Sequence, residues 1–430
     1  MVLKRHREKE SAFIDEDFWL SCFGENDINE IAKQGNTTFA RGAFGEISIA
    51  IRQSNDSGNL CHFVAIKTIE RSLTADGMFG KSRQKLSRDV FNELCALRHL
   101  NPHPNIVPLL AVYPSKQTHL SRTSLSLVFS YLPVDLHISL EWRRRAFMPP
   151  LPFGVLKTVG QDMFSALAHC HSLGVLHRDV KPGNFLVSSS GIIKLCDFGL
   201  AKPFVDENHS IIKPSSGESG TQGLCTLYYR SPEVLFGGPA GEPAIDMYSA
   251  GTVLAELVTG QPLFPGQNVL DQLSLIFDLL GTPTESSWPN AKNMPDFGKL
   301  SFLPKPTKMW KEMCPRVTEC PGLQNILSEL VCLDPQRRLS AQGALNHTWF
   351  ECKPELMSRR NLRNELIPPE LQEPSLLAPK DLTIASRLAI ITAAKHRSFL
   401  TSQAVSWEKI APSRSLKDLC SSFRINYKSG

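Results

Sequence analysis

The run His177-Arg178-Asp179-Val180-Lys181-Pro182-Gly183-Asn184 places a carboxylate, an ammonium and a carboxamide within eight residues. Apolar residues flank it, Val175-Leu176 before and Phe185-Leu186-Val187 after, and the turn Ser188-Ser189-Ser190-Gly191 leads on into Ile192-Ile193-Lys194-Leu195. The run therefore reads as a loop, not a helix, feeding a β-hairpin. The end of the hairpin delivers Asp197-Phe198-Gly199. This set suits phosphoryl transfer from ATP, in which dispersed negative charge makes catalysis mostly positioning and electrostatics. Asp179 could act as base toward an attacking hydroxyl and Lys181 as the cation near the γ-phosphate. Asn184 and Asp197 could ligate Mg²⁺, which prefers hard oxygens and takes few of them from protein.

The run resembles the catalytic loop of eukaryotic protein kinases, with the metal-binding Asp-Phe-Gly at the expected distance. Lys181, two residues after Asp179, is similar to the Ser/Thr kinases and unlike the tyrosine kinases. The resemblance implies an α+β, bilobal protein kinase fold. A small β-rich lobe with one regulatory helix is expected over residues 36–132 and a larger, mainly helical lobe over 133–350, with ATP in the cleft between them. An N-terminal extension, 1–35, and a C-terminal tail, 351–430, flank this domain.

The elements that must position the chemistry can be read in order. Phe39-Ala40-Arg41-Gly42-Ala43-Phe44-Gly45-Glu46-Ile47 lies between strand-like runs, and its glycines let a backbone lie close over phosphates. Taken alone it is an ordinary hairpin turn, and Ala40 stands where kinases usually have the first glycine. Val64-Ala65-Ile66-Lys67 follows at the kinase spacing, and the resemblance assigns Lys67 to the α/β-phosphates. Val90, Leu94 and Leu97 recur at helical spacing. Glu93 lies off that stripe, as a solvated glutamate or, on the kinase reading, as the partner that sets Lys67. His103-Pro104-Asn105-Ile106-Val107 turns the chain into the sheet. Leu127-Val128-Phe129-Ser130-Tyr131-Leu132 resembles the last strand and hinge, whose backbone bonds adenine, with Phe129 at the back pocket. The resemblance thus implies ATP contacts from Gly42, Gly45, Ile47, Ala65, Lys67, Glu93, Phe129, Tyr131, Leu132 and Leu186.

In the larger lobe, Leu156, Val159, Met163, Leu167 and Cys170 step at helical spacing, and Gly174 caps the helix. Cys170 is read as core. Arg143-Arg144-Arg145 is read as a solvated face. Thr226-Leu227-Tyr228-Tyr229-Arg230-Ser231-Pro232-Glu233 resembles the closing motif of cyclin-dependent kinases and their relatives. It implies that Thr226 bonds near Asp179 and Lys181, that Arg230 shapes a pocket favouring Pro after the target residue, and that Glu233 pairs with Arg338. Asp246 resembles the helix-start aspartate that holds the catalytic-loop backbone. Gly260-Gln261-Pro262-Leu263-Phe264-Pro265-Gly266 and Leu280-Gly281-Thr282-Pro283 match the same group, and Trp349-Phe350 closes the lobe. Weaker similarity from Trp288-Pro289 to Phe302 points within it to the cell-cycle-related cyclin-dependent-like kinases.

Three departures carry expectations. The inhibitory Thr-Tyr pair of the group's glycine loop is Ala43-Phe44 here, so no inhibitory phosphorylation is expected there. Thr221 stands where the group has its activating phosphothreonine, with Arg178 and Lys202 as cations for the phosphate. The group's third arginine is Asn92, and lysine is a weaker, non-bidentate partner than arginine, so phospho-Thr221 should order the loop less tightly. The loop between Lys67 and Glu93 is long, with Gly77 and Gly80, and the helix lacks the cyclin-binding signature, which argues against activation by a cyclin and leaves another activator protein open.

Composition is that of an ordinary globular chain, 42% hydrophobic and 21% charged over 430 residues. No apolar run reaches the ~18 residues of a membrane span, and no signal peptide is read at the N-terminus. The 11 cysteines are scattered without a Cys-x-x-Cys pair, which fits a reducing compartment, cytoplasm or nucleus. Residues 351–430 hold 13 basic and 8 acidic residues and so account for the whole net charge of +5. No nucleic-acid or membrane partner is expected. Lys4-Arg5-His6-Arg7 is a solvated basic end or an import signal, and Leu382 to Ile391 is an amphipathic helix candidate. The expected function is a Ser/Thr protein kinase using ATP and Mg²⁺ on protein substrates. The competing readings are a pseudokinase scaffold, an enzyme like the MAP kinases activated without a cyclin, and a small-molecule phosphotransferase.

Overall fold

A computed structural model describes residues 37–42, 45–53, 61–70, 72–74, 83–85, 88–116, 123–203 and 227–372. In the small lobe, β1 (Thr37–Gly42), β2 (Gly45–Gln53) and β3 (Cys61–Glu70) run antiparallel, followed by the short pair β4 (Ser72–Thr74) and β5 (Arg83–Lys85). Helix α1 (Arg88–Leu100) comes next, then β6 (Leu109–Lys116) and β7 (Thr123–Ser130). The main sheet has the order β1-β2-β3-β7-β6. Strand alternation buries Val64 and Ile66 on one face of β3 against Ala111 and Val128. The opposite face presents Ala65 and Lys67. The stripe Val90 and Leu94 of α1 packs with Ile69, Leu125 and Leu127.

The larger lobe begins with β8 (Val134–Asp135) and α2 (Leu136–Arg145), then α3 (Phe153–Ser172), in which Leu156, Val159, Met163, Leu167 and Cys170 are all buried. The helix ends before Gly174, whose φ of +70° is the left-handed conformation of a glycine C-cap. Strand β9 (Val175–Leu176) precedes the catalytic run, and the hairpin β10 (Phe185–Val187) and β11 (Ile193–Leu195) follows it, with β8 paired to the outer edge of β10. Strand β12 (Lys202–Pro203) pairs with β9. Of the later helices, α4 (Ala244–Thr259) is buried along nearly its whole length, and α5 (Val269–Leu280) and α6 (Leu323–Leu330) pack around it. Gly251 on α4 is required by close approach, since a Cβ there would lie 2.7 Å from Leu330. No described helix is long and apolar enough to cross a membrane.

The small sheet-rich region and helical remainder are those expected. Beyond residue 350, α7 (Arg359–Leu366) lies on the lobe with Leu362, Leu366 and Ile367 buried. One expectation needs correction. The triple arginine is not one solvated face. Arg144 and Arg145 pair with Glu141 at the surface, whereas Arg143 is buried and donates to Glu365 Oε2 at 2.7 Å and to Pro149 O at 2.8 Å. Helix phase turns one arginine of the three inward. The leader, Lys4 to Arg7, Ala43-Phe44, Gly77, Gly80, Thr221, Thr226 and the stretch Leu382 to Ile391 lie outside the described residues.

Candidate active site

The catalytic run is held from below by α4. The Asp246 carboxylate accepts the N–H of His177 at 2.9 Å and that of Arg178 at 2.8 Å, and His171 Nε2 lies 3.0 Å from the same group. Arg178 has φ of +67°, a left-handed conformation costing a non-glycine residue about 1–2 kcal/mol, and the two amide bonds hold it there. Burial works against ionisation of Asp246, but the hydrogen bond and charge of His171, with His177, keep its pKa below the usual aspartate value. The His177 ring accepts the Asp179 N–H at Nδ1, 3.2 Å, and donates through Nε2 to Cys196 O, 3.0 Å. One imidazole therefore ties the loop to the strand end that precedes Asp197.

The run is a loop as expected, with a 3-10 turn at Pro182–Asn184. Asp179 Oδ2 accepts Lys181 Nζ at 2.6 Å and Asn184 Nδ2 at 3.0 Å, while its Oδ1 is buried with no hydrogen-bond partner among the described residues. A buried acceptor left unmatched is costly, and this oxygen is placed to take a proton from an attacking hydroxyl. Asn184 Nδ2 also donates to Asp179 O at 2.7 Å, so its amino group is committed inward and its amide oxygen remains for an ion. Cys196 N donates to Asn184 O at 2.9 Å, which sets Asn184 beside the residue preceding Asp197. A neutral and an anionic hard oxygen donor fit Mg²⁺, which commonly completes its shell with phosphate and water. Among the described residues no group of three or more His, Cys, Asp or Glu forms a protein cage for a metal.

Asp197 caps the 3-10 turn Phe198–Leu200 in the left-handed region, φ +62°. Phe198 is buried edge-on to His177, 4.9 Å between ring centroids, and the turn lies against α1. Across the cleft, Lys67 Nζ contacts Glu93 Oε1 at 2.8 Å and Oε2 at 2.7 Å, and Asp197 Oδ1 at 3.4 Å. Glu93 is thus a buried partner and not a solvated helix residue. Burial is the largest influence on all three charges. Against it, Glu93 and Asp197 raise the Lys67 pKa, so the ammonium persists. Burial lifts Glu93, with Lys67 only partly offsetting it. Burial likewise opposes the charge on Asp197, yet Lys67, Lys181 and His177 hold its pKa below the usual value.

The sheet brings the other cleft residues together. Ile47 is registered opposite Lys67, and Ala65 opposite Phe129. Ile47 and Phe129 are partly buried against the large-lobe core, and Gly42 and Gly45 pair across the first hairpin. Leu186, half-buried, lies on β10 opposite Asp135 and Lys194. Leu132 is half-buried at the crossing. Tyr131 stands beside it, its N–H donating to Phe63 O at 3.3 Å.

The substrate side is anchored by the closing motif. Glu233 and Arg338 form a bidentate pair at 2.6 and 2.7 Å. The remaining guanidinium donors reach Cys332 O, Ala244 O and Leu333 O, and its plane lies over Tyr248 at 4.9 Å. Upstream, Ser249 Oγ donates to Tyr229 O at 2.7 Å and Gln272 Nε2 to Tyr228 O at 3.2 Å, which fixes the segment entering half-buried Arg230. Lys202 is registered opposite Leu176, beside the run containing Arg178. Sequence reasoning missed Ser249, Gln272 and His171. A wholly buried glutamine in an apolar helix is a signal, but its partner 44 residues away is not locally legible.

The protein kinase domain family matches residues 36–350. Cyclin-dependent kinase D-1 of Arabidopsis thaliana is 33% identical over 291 residues, 68% of this chain and 65% of the relative. The chain thus spans about two thirds of that relative's length. Cyclin-dependent kinase 20 of Mus musculus is 31% identical over 291 residues, 68% of this chain and 76% of the relative. A chain in the solved structure of the CAK complex from Chaetomium thermophilum bound to ATP-γ-S superposes with a TM-score of 0.62 at 31% identity, covering 76% of this chain and 93% of that one.

Proposed function

The chain belongs to the protein kinase family, and from that premise we propose that it transfers the γ-phosphate of ATP to Ser/Thr hydroxyls of proteins as a cyclin-dependent-kinase-like enzyme. The observation that carries the reading is the asymmetry of Asp179, with one oxygen bonded by Lys181 and Asn184 and the other buried and unmatched among the described residues. That oxygen accepts the hydrogen of the attacking alcohol, and Lys181 is close enough to the same carboxylate to face the transferred phosphoryl group. Lys67, kept charged by Glu93, neutralises phosphate charge deeper in the cleft. Mg²⁺, held by Asp197 and the Asn184 amide oxygen, would neutralise charge on the triphosphate. Phosphate bearing a loose, charge-dispersed transition state is what such fixed donors stabilise best.

The names of the two relatives raise a cyclin as activating partner. The long loop between Lys67 and Glu93 and the lack of a cyclin-binding signature on the helix that carries Glu93 support activation without a cyclin. Preference for Pro after the target residue rests on Arg230 and the surrounding closing motif. A peptide-library assay with radiolabelled ATP, run with and without added cyclins, tests activity, Ser/Thr choice and the Pro requirement together. Asp179→Asn should abolish incorporation while nucleotide binding persists. Equal incorporation by wild type and Asp179→Asn would overturn the reading and leave a binding scaffold.

A further inference from the structure

We propose that Arg359, beyond the family-matched residues, is a positioning residue for the hairpin that carries the two metal-holding side chains. The inference rests on reading Asn184 and Asp197 as that pair. Asp162 lies within α3 with its side chain 4% exposed, and an isolated carboxylate so placed carries a penalty of several kcal/mol unless paired. Arg359 meets it bidentately, Nη1 to Oδ2 at 2.5 Å and Nη2 to Oδ1 at 2.8 Å. The same Oδ2 accepts the Ile193 N–H at 2.9 Å, and Arg359 Nη1 also reaches Gly191 O at 3.3 Å. One guanidinium therefore holds the hairpin twice, directly at its turn and through Asp162 at the first residue of β11.

That strand is only three residues long. Cys196 follows, bonded to Asn184 O, and then Asp197. A displacement of Ile193 has little length of chain in which to relax before it reaches both metal-holding residues. The contact is also close on the backbone side. Gly191 has φ of +78°, and a Cβ there would stand 2.2 Å from Arg359 O, so the tail presses on the turn where only glycine fits.

The rest of the tail is secured so that Arg359 has a fixed base. Before it, Thr158 Oγ1 donates to Met357 O at 3.1 Å, Met357 N donates to Gly154 O at 3.1 Å, and the buried Lys157 ammonium donates to Cys352 O. After it, Ser139 Oγ donates to Leu366 O at 2.6 Å and Arg143 grips Glu365. Those last two sit on α2, which continues from β8, the strand paired to the outer edge of β10. The hairpin is thus bordered on both sides by elements that the tail holds.

The test uses the full chain and three variants, Arg359→Ala, Arg359→Lys and Gly191→Ala, with surface Lys292→Ala as control. Hydrogen exchange should quicken roughly tenfold or more for amides of 185–197 in Arg359→Ala and Gly191→Ala, with α4 amides unchanged. At saturating peptide and MgATP, kcat should fall about tenfold with peptide KM unchanged. The Mg²⁺ concentration for half-maximal ADP binding by calorimetry should rise. Arg359→Lys should fall between, since an ammonium cannot reproduce the bidentate contact. Unaltered hairpin exchange, equal loosening of α4, or faster hairpin exchange with kcat and Mg²⁺ dependence intact would each overturn the proposal. The metal assignment is read separately: Asp197→Asn must abolish Mg²⁺-dependent nucleotide binding, and retention of it overturns that assignment whatever the exchange shows.

Discussion

Tyr229 donates its phenolic hydrogen to Glu256 Oε2 at 2.7 Å, and both side chains lie inside the large lobe beneath the segment that enters Arg230. Burial pushes the Glu256 pKa up to about 7, with the Tyr229 hydrogen bond opposing it, and the same burial raises the phenol well above its ordinary value. The folded chain therefore holds a proton on Glu256 that the unfolded chain releases near 4.5. Stability from this group is fully present below that value and is lost as pH rises through about 7. Glu256→Gln, which stays neutral, should lie close to wild type at pH 4.5 and gain relative to it by on the order of 2–3 kcal/mol by pH 8. Denaturant unfolding of both proteins across that range checks it, and parallel stability curves would rule the titration out.

Lys67 and Glu93 make a second, functional pair. Lys67→Met removes a cation that faces both Glu93 and Asp197, and kcat/KM should fall by roughly 10²–10³, the loss typical of one preorganised charge-stabilising donor. Glu93→Gln keeps a hydrogen-bond acceptor but not the charge that holds the ammonium, so its loss should be smaller. Neither change should alter the unfolding midpoint of the large lobe. A Lys67→Met protein with wild-type turnover would remove Lys67 from the chemistry.

The Glu233–Arg338 pair should behave differently, as architecture. The guanidinium is wholly buried and every N–H is matched. Glu233→Ala leaves that charge unpaired, and the expected destabilisation is about 3–5 kcal/mol. Replacing both residues by apolar ones of similar volume, Glu233→Leu with Arg338→Met, should recover a large part of it, because neither buried charge then remains. Denaturant midpoints of the single and double variants decide the matter; a double variant no more stable than Glu233→Ala would mean that the pair's worth lies elsewhere than in its charges.

What could be read in the chain beforehand has a physical pattern. Asp179, Lys181, Asn184 and Asp197 sit in contiguous runs whose loop and hairpin are dictated by neighbouring apolar pairs and a serine-glycine turn. Lys67 and Glu93 are 26 residues apart, yet each is marked locally, one by a β-strand pattern and the other by its phase on an amphipathic helix. Arg143 shows where such reading stops. Three consecutive arginines look equivalent, and only the angular phase of α2 decides that 143 turns inward, to a partner 222 residues away. Asp162 is the one acidic residue of α3, on a helix with a broad apolar face, which flags a charge in need of a partner, but nothing near it in sequence indicates Arg359. Local chemistry was legible; long-range pairing of buried charge was not.

Asp246 joins these two kinds of information, since its place at a helix start was readable and its partners are distant. Its two oxygens accept two consecutive amides, His177 and Arg178, and the second belongs to a residue in the left-handed region. Asn at 246 has one acceptor oxygen and one amino group, so one of those amides would face a donor and lose its partner. The amide left unmatched is buried, at a penalty of about 1–3 kcal/mol, and the strain at Arg178 loses part of what holds it. Asp246→Asn should therefore shift Asp179 and lower kcat by about tenfold to a hundredfold, since misplacement near 1 Å carries that consequence. ATP affinity should change little, because Lys67, Ile47 and Phe129 belong to the other lobe. Steady-state kinetics with nucleotide titration test this split, and a loss confined to ATP binding, with kcat intact, would show that Asp246 does not act through the catalytic loop.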